Sequence, residues 1–104
     1  MDQGAVVERV REYAELVRRH IPVSKVVLYG SYASGRAHED SDIDVAVIVP
    51  HVEGDFLDLA AQLFRWTRDI DLRIEPVLLQ EGHDRSGFIE EVLRTGEVVY
   101  SRGS

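Results

Sequence analysis

The 104-residue sequence has no cysteine, which excludes disulfide bonds and thiolate metal ligands. Positive charge is also scarce: the 12 basic residues, of which Lys25 is the only lysine, face 19 acidic ones and leave a net charge of −7. A protein that grips the phosphate backbone over a broad surface is usually basic. We therefore expect no direct nucleic-acid binding.

Long apolar segments are missing as well, since no run approaches the roughly 20 residues that a membrane span needs. The start, "MDQGAVVERV", carries charge from its second residue and does not read as a signal peptide. We expect a cytoplasmic protein without a membrane segment. The hydrophobic fraction of 44% is enough for a core, and the length suits a single domain over residues 1–104.

The pattern of apolar residues predicts alternating helices and strands. Val6, Val10, Tyr13 and Val17 follow helical spacing and predict a surface helix that ends near His20. The further expected elements are a strand at 25–30, a helical turn early in 31–41, a strand at 42–49, a helix at 54–69, a strand at 70–79, a helix at 86–96 with Gly96 as its left-handed cap, and an extended stretch at 97–101. This order predicts a small α/β (α+β) domain with a mixed sheet flanked by helices.

Two acids stand at the mouth of the strand predicted over 42–49. Strand alternation places Asp42 and Asp44 on the same face. At roughly 4 Å, like charges repel by about 4 kcal/mol at an effective dielectric constant of about 20. One acid is then protonated, the strand end is fully solvated, or a cation lies between them. The plain alternative is a solvated turn, "EDSD" at 39–42, whose acids cap local amides.

A glycine–serine pair ends the preceding strand. Gly30 lets a phosphate approach the backbone closely, and Ser31 adds a hydroxyl where free amides attract anions. The short connector returns the chain antiparallel, so that Gly30 and Asp42 reach the same edge. A phosphate cradle beside two carboxylates is typical of metal-assisted phosphoryl or nucleotidyl transfer.

The segment "GSYASGRAHEDSDIDVAV" resembles the signature of the minimal branch of the polymerase-β-like nucleotidyltransferase superfamily: a glycine–serine pair, ten residues, then Asp-x-Asp. The resemblance implies the nucleotidyltransferase fold, with Asp42 and Asp44 as catalytic ligands of two Mg²⁺ ions. It also implies that Gly30 and Ser31 contact the phosphates of ATP. A third carboxylate on a neighbouring strand completes the site in this family.

One position departs from the family pattern. Many minimal members carry arginine after the glycine–serine pair, whereas this sequence has Tyr32. Arg36 is then the expected phosphate partner, and Ser41 is a further expected nucleotide-binding residue.

Two acids compete for the role of third carboxylate. The segment from Pro50 to Asp69 is long enough for a helical crossover that returns a parallel strand. A parallel strand starts near the start of its neighbour, which favours Asp71 as third ligand and as base for the attacking hydroxyl. Glu75 lies about 13 Å further along the strand and is the reserve choice.

The resemblance also suggests a partner. Minimal nucleotidyltransferases typically act as antitoxins of a HEPN-domain toxin, in some cases by transferring AMP to a tyrosine of that toxin. No acceptor pocket is visible after Leu79, so we expect the acceptor to belong to another chain. Two alternatives stay open: a binding module that neutralises its partner by masking it, and a free-standing enzyme acting on a small hydroxylated molecule. The sequence leaves the nucleotide, the acceptor and the stoichiometry open.

Overall fold

The computed structural model describes residues 3–37, 41–84 and 86–103. The helices are α1 (Gln3–Arg18), α2 (Ser31–Ser34), α3 (Phe56–Trp66) and α4 (Phe88–Thr95), with a 3₁₀ turn at Thr67–Asp69 after α3. The strands are β1 (Lys25–Tyr29), β2 (Ile43–Val49), β3 (Ile74–Gln80) and β4 (Glu97–Ser101). The predicted order of elements and the predicted α/β class are confirmed.

The four strands form one mixed sheet in the order β3-β2-β1-β4. β1 is antiparallel to both β2 and β4, whereas β2 and β3 are parallel. The predicted crossover through α3 is therefore confirmed. It brings the start of β3 next to the start of β2, with Ile43 opposite Ile74.

The two faces of the sheet are covered unequally. One face packs against α1 and α3 and holds the larger core, because β2 alternates and turns Ile43, Val45, Val47 and Val49 toward these helices. On the other face, which we call the α4 face, α4 is the covering helix among the described elements. The smaller cluster on this face consists of Val27, Ala46, Ile48 and Val92.

The free edge of the sheet at β3 carries a proline. Ile43 N donates to Arg73 O and Glu81 N donates to Val49 O, so the odd-numbered residues of β3 point their backbone groups toward β2. Pro76 is even-numbered and lies on the outer edge, where it has no N–H to offer. A proline there hinders pairing with a further strand.

Two local predictions are wrong. β3 begins at Ile74 rather than at residue 70, because residues 70–73 form a turn in which Asp71 N donates to Thr67 O and Ile74 N donates to Asp71 O. Gly96 is extended (φ −89°) rather than left-handed. Glu39 and Asp40 of the expected "EDSD" turn lie outside the described residues.

Across the described ranges, no helix combines the length and the apolar character that crossing a membrane requires.

Candidate functional site

Gly30 links the end of β1 to the start of α2. Its backbone has φ +75° and ψ −148°, a conformation that side-chain-bearing residues rarely adopt. A Cβ atom at this position would also overlap Oδ2 of Asp44. Only glycine therefore allows the loop to lie against the Asp44 carboxylate. The predicted proximity of Gly30 to the Asp-x-Asp segment is thus observed for Asp44.

A pocket of about 410 Å³ opens beside this loop and is lined by Gly30, Ser31, Ser34, Arg36 and Thr95. The loop turns tightly, since Ser34 N donates to Gly30 O and Arg36 N donates to Ser31 O. Arg36, the predicted substitute for the missing arginine, thus lies in the same pocket as the glycine–serine pair. Ser41, which is itself described, does not belong to the lining of this pocket.

Strand register lines up three side chains across the sheet on the α4 face. Tyr29 of β1 is directly opposite Asp44 of β2, and Asp44 is directly opposite Glu75 of β3. Directly opposed residues of paired strands project from the same face. Asp42 precedes Asp44 by two residues and reaches the same edge, so Asp42, Asp44 and Glu75 form an acidic group beside Gly30.

The charges of this group act on one another. Burial, and then the nearby Asp42 carboxylate, raise the pKa of Asp44. The charge of Asp42, followed by partial desolvation and by the charge of Asp44, raises the pKa of Glu75. Burial, Asp44 and Glu75 together raise the pKa of Tyr29. The group therefore carries unrelieved negative charge, which favours protons or a cation.

Asp71 does not join this group, which corrects the predicted placement of the third carboxylate. Its carboxylate accepts hydrogen bonds from Nε of Arg73 (3.1 Å), from Nη2 of Arg73 (2.8 Å) and from the backbone N of Arg73 (2.9 Å). These contacts lower the pKa of Asp71, and Arg9 adds to the effect. The prediction that β3 runs parallel to β2 is correct, but β3 starts at Ile74 rather than at residue 70. Glu75 therefore occupies the strand position that was expected for Asp71.

The acidic group offers oxygen ligands, which are the donors that Mg²⁺ prefers. Among residues 3–37, 41–84 and 86–103, however, no three His, Cys, Asp or Glu side chains already stand in an arrangement that could hold a metal ion. The Asp42 carboxylate is near enough to raise the pKa values of Asp44 and Glu75, but the three side chains have not converged on one point.

Three site-lining residues were not predicted from the sequence. Thr95 lines the pocket from the end of α4, while Tyr29 and Phe88 form an edge-to-face ring pair with centroids 5.6 Å apart. Tyr29 could have been found from its position before Gly30, opposite Asp44. Thr95 and Phe88 reach the site only through the packing of α4, which no local pattern reveals. Tyr32, by contrast, is buried in the core, which explains why an aromatic residue suits this position.

Comparison with known proteins places this geometry in context. Residues 11–104 match the family described as "Polymerase beta, Nucleotidyltransferase". A Methanocaldococcus jannaschii protein named "Putative protein adenylyltransferase MJ0604" is 35% identical to this chain over 80 residues. The matched segment covers 75% of this chain and 79% of that protein.

Solved structures of similar fold include nucleotidyltransferases. A minimal nucleotidyltransferase superimposes with a TM-score of 0.65 at 30% identity, covering 92% of this chain and 94% of that one. The antitoxin in a complex of a tri-AMPylated Shewanella oneidensis HEPN toxin with an MNT antitoxin is similar in fold, with a TM-score of 0.62 at 19% identity over 95% of this chain and 72% of that one.

Proposed function

Because the chain belongs to the Polymerase beta nucleotidyltransferase family, we propose that it transfers AMP from ATP, with Mg²⁺, to a hydroxyl group of a HEPN-type partner protein. The observation that supports this most is the strand register, which gathers Asp42, Asp44 and Glu75 beside the Gly30–Ser31 loop. Carboxylates can hold a divalent cation, and a tight glycine loop beside them leaves room for the phosphates that the cation binds.

The donor chemistry of Asp42, Asp44 and Glu75 fits Mg²⁺, because this ion prefers carboxylate oxygens. Gly30 keeps the space against Asp44 free of a Cβ atom. Burial and then the Asp42 charge raise the pKa of Asp44, and the Asp42 charge is the largest cause of the raised pKa of Glu75. In the proposal Asp42, Asp44 and Glu75 are the ligands and converge further when the cation is present. The cation, when bound, neutralises charge on the phosphates and on the displaced pyrophosphate.

Glu75 is the proposed general base. Glu75 is directly opposite Asp44 in the strand register, so its carboxylate belongs to the acidic group at which the acceptor hydroxyl has to arrive. The acceptor hydroxyl loses its proton to Glu75, its oxygen forms a bond to the α-phosphorus of ATP, and the bond from that phosphorus to the oxygen of the leaving pyrophosphate breaks. The products are the AMP ester of the acceptor and pyrophosphate.

The Gly30–Ser31 loop and Arg36 are the proposed holders of the leaving pyrophosphate. They line the same 410 Å³ pocket, which has room for a phosphate chain beside the acids. Arg36 offers a positive charge in a chain with few of them, and guanidinium groups bind phosphate through paired hydrogen bonds. We expect Ser31 to contribute one hydrogen bond to a charged oxygen.

The partner is proposed by analogy with the Shewanella oneidensis complex, in which the HEPN toxin carries AMP and the MNT antitoxin shares this fold. In this proposal the present chain is the antitoxin, and a tyrosine hydroxyl of the toxin is the acceptor. A toxin blocked by AMP rather than by mere contact stays inactive after the two chains separate. A toxin that stays inactive after it is separated from this chain indicates AMP transfer, whereas a toxin that regains activity indicates masking.

The test is to incubate the purified chain with the HEPN protein encoded beside it, ATP and Mg²⁺, and to measure the intact mass of both chains. We expect the partner to gain AMP, and the Asp42→Asn/Asp44→Asn double variant to transfer none. Neutralisation of the partner without a mass gain would favour masking. Transfer that survives in the double variant would refute the assigned site.

A further inference from the structure

The first and last residues of helix α4, Phe88 and Thr95, have no role in the proposed function so far. Its last residue, Thr95, lines the pocket that holds Gly30 and Ser31, whereas its first residue, Phe88, lies against Tyr29. Eight helical residues span about 12 Å. α4 therefore has one end at the phosphate pocket and the other at the Tyr29 ring.

Phe88 is a large apolar side chain that stays 37% exposed. Its ring meets that of Tyr29 at an interplanar angle of 87°, and such a perpendicular pair leaves ring faces that the partner does not cover. Tyr29 is directly opposite Asp44 in the strand register. The exposed Phe88 ring therefore contacts the side chain that is opposite Asp44, on the α4 face.

The ring is held in place from the start of the helix. Both carboxylate oxygens of Asp84 accept backbone hydrogen bonds, from Ile89 N at 2.8 Å and from Glu90 N at 3.1 Å. Ile89 packs against the cluster of Val27, Ala46, Ile48 and Val92. A surface fixed in this way loses little conformational freedom when a flat ligand stacks on it.

We propose that the Tyr29–Phe88 pair is the nucleobase subsite, with the Phe88 ring as the stacking surface. The inference rests on the proposed function, because it takes the α-phosphate to be at Asp42 and Asp44 and the outer phosphates to be at Gly30 and Ser31. The nucleoside then leaves the α-phosphate on the side away from the phosphate pocket, which is where Phe88 lies. Base–aromatic stacking tolerates any base, because every base has a π face.

The test compares two ligands that share the phosphates and differ in the base. Calorimetry with Mg²⁺ measures the dissociation constants of ATP and of inorganic tripolyphosphate for the wild-type chain and for Phe88→Ala. We expect Phe88→Ala to weaken ATP by about tenfold or more and to leave tripolyphosphate unchanged. Phe88→Tyr, which keeps the ring, should bind ATP nearly as the wild type does.

Leu93→Ala is the matched control, since Leu93 is on the same helix and is also 37% exposed. It should change neither constant. If Phe88→Ala does not fold, Phe88→Leu replaces it, because leucine keeps the apolar bulk without an aromatic face. An unchanged ATP constant in the variant without the ring, or an equal loss for both ligands, would overturn the inference.

The two proposals fail in different ways. A wild-type chain that binds ATP and transfers AMP, with no effect at Phe88, refutes the subsite alone. A wild-type chain that binds neither ATP nor tripolyphosphate refutes the proposed function, and the subsite with it.

Discussion

Asp44 and Asp71 have pKa values displaced in opposite directions, and this difference separates their roles. Asp44 is partly buried and lies near the Asp42 carboxylate, and both effects raise its pKa. Asp71 is almost enclosed by the guanidinium and backbone of Arg73, so its pKa falls. A carboxylate already satisfied by arginine has little to offer a metal ion. Asp71 therefore secures the turn that precedes β3.

Asp71→Asn is predicted to destabilise the fold. The side chain of Asp71 is only 13% exposed, and the substitution removes a charged pair that also holds the backbone of Arg73. We expect the free energy of unfolding to fall by about 1–3 kcal/mol in a urea titration. Glu91→Gln, which breaks an exposed pair with Arg94, is the control and should cost less than about 1 kcal/mol. Equal losses in the two variants would argue against a securing role for Asp71.

The stability of the cation-free protein is predicted to depend on pH in two steps. Groups with raised pKa values bind protons more tightly in the folded state, so Asp44 and Glu75 make stability rise as pH falls from neutral toward the ordinary carboxyl range near about 4. Asp71 acts oppositely: its contribution is present above its ordinary pKa and is lost as pH falls through the lowered value. Thermal unfolding in a chelator should show a rise and then a fall.

The Asp42→Asn/Asp44→Asn variant provides the comparison for that profile. It lacks the mutual repulsion, so it should be more stable than the wild type at neutral pH and should show a smaller rise on acidification. A rise of the same size in both proteins would assign it to other acids of this chain.

At the scale of elements, the sequence predicts the order of helices and strands and the parallel crossover, because amphipathic spacing and connector length act locally. It does not predict where β3 starts. Ile70 and Leu72 alternate with charged residues like a strand, yet Leu72 is 76% exposed and Ile70 closes the 3₁₀ turn through a bond to Thr67. Because four is an even number, starting β3 four residues later keeps the same sheet face and puts Glu75 where Asp71 was expected. Register of this kind depends on tertiary pairing.

The conformation of Gly96 is a second feature that the local sequence does not predict. Gly96 was expected to supply a left-handed cap, but it is extended, and its lack of a side chain serves packing. A Cβ atom there would lie 2.7 Å from Leu28 O and 2.7 Å from Val92 O. Glycine thus lets the end of α4 lie directly on β1. Only the folded structure reveals that requirement.

Gly96→Ala is therefore predicted to destabilise the protein through steric overlap with backbone atoms rather than through backbone conformation. We expect a loss of about 1–3 kcal/mol, measured by urea unfolding. Gly4→Ala is the contrasting variant: Gly4 is exposed within α1, where alanine is the better helix former, so stability should stay the same or rise. A neutral Gly96→Ala would mean that α4 has room to shift.

At the scale of the molecule, the uneven covering of the sheet determines where a partner reaches the acids. The face under α1 and α3 is filled by the main core, whereas the α4 face carries Asp44, Glu75 and the ring pair of Tyr29 and Phe88. With the proposed phosphate pocket at the end of β1 and the proposed base Glu75 on β3, we expect the acceptor hydroxyl to approach over the β3 side. Pro76 on that edge disfavours entry by strand pairing.

The most direct test of the account is a Mn²⁺ titration followed by electron paramagnetic resonance on the wild type and three variants. The account predicts a saturable site that is lost in Asp42→Asn/Asp44→Asn, weakened about tenfold or more in Glu75→Gln, and retained in folded Asp71→Asn. Circular dichroism under the same conditions checks that each variant is folded. Weakened binding in Asp71→Asn with unchanged binding in Glu75→Gln would contradict the account, and so would a site that survives in the double variant.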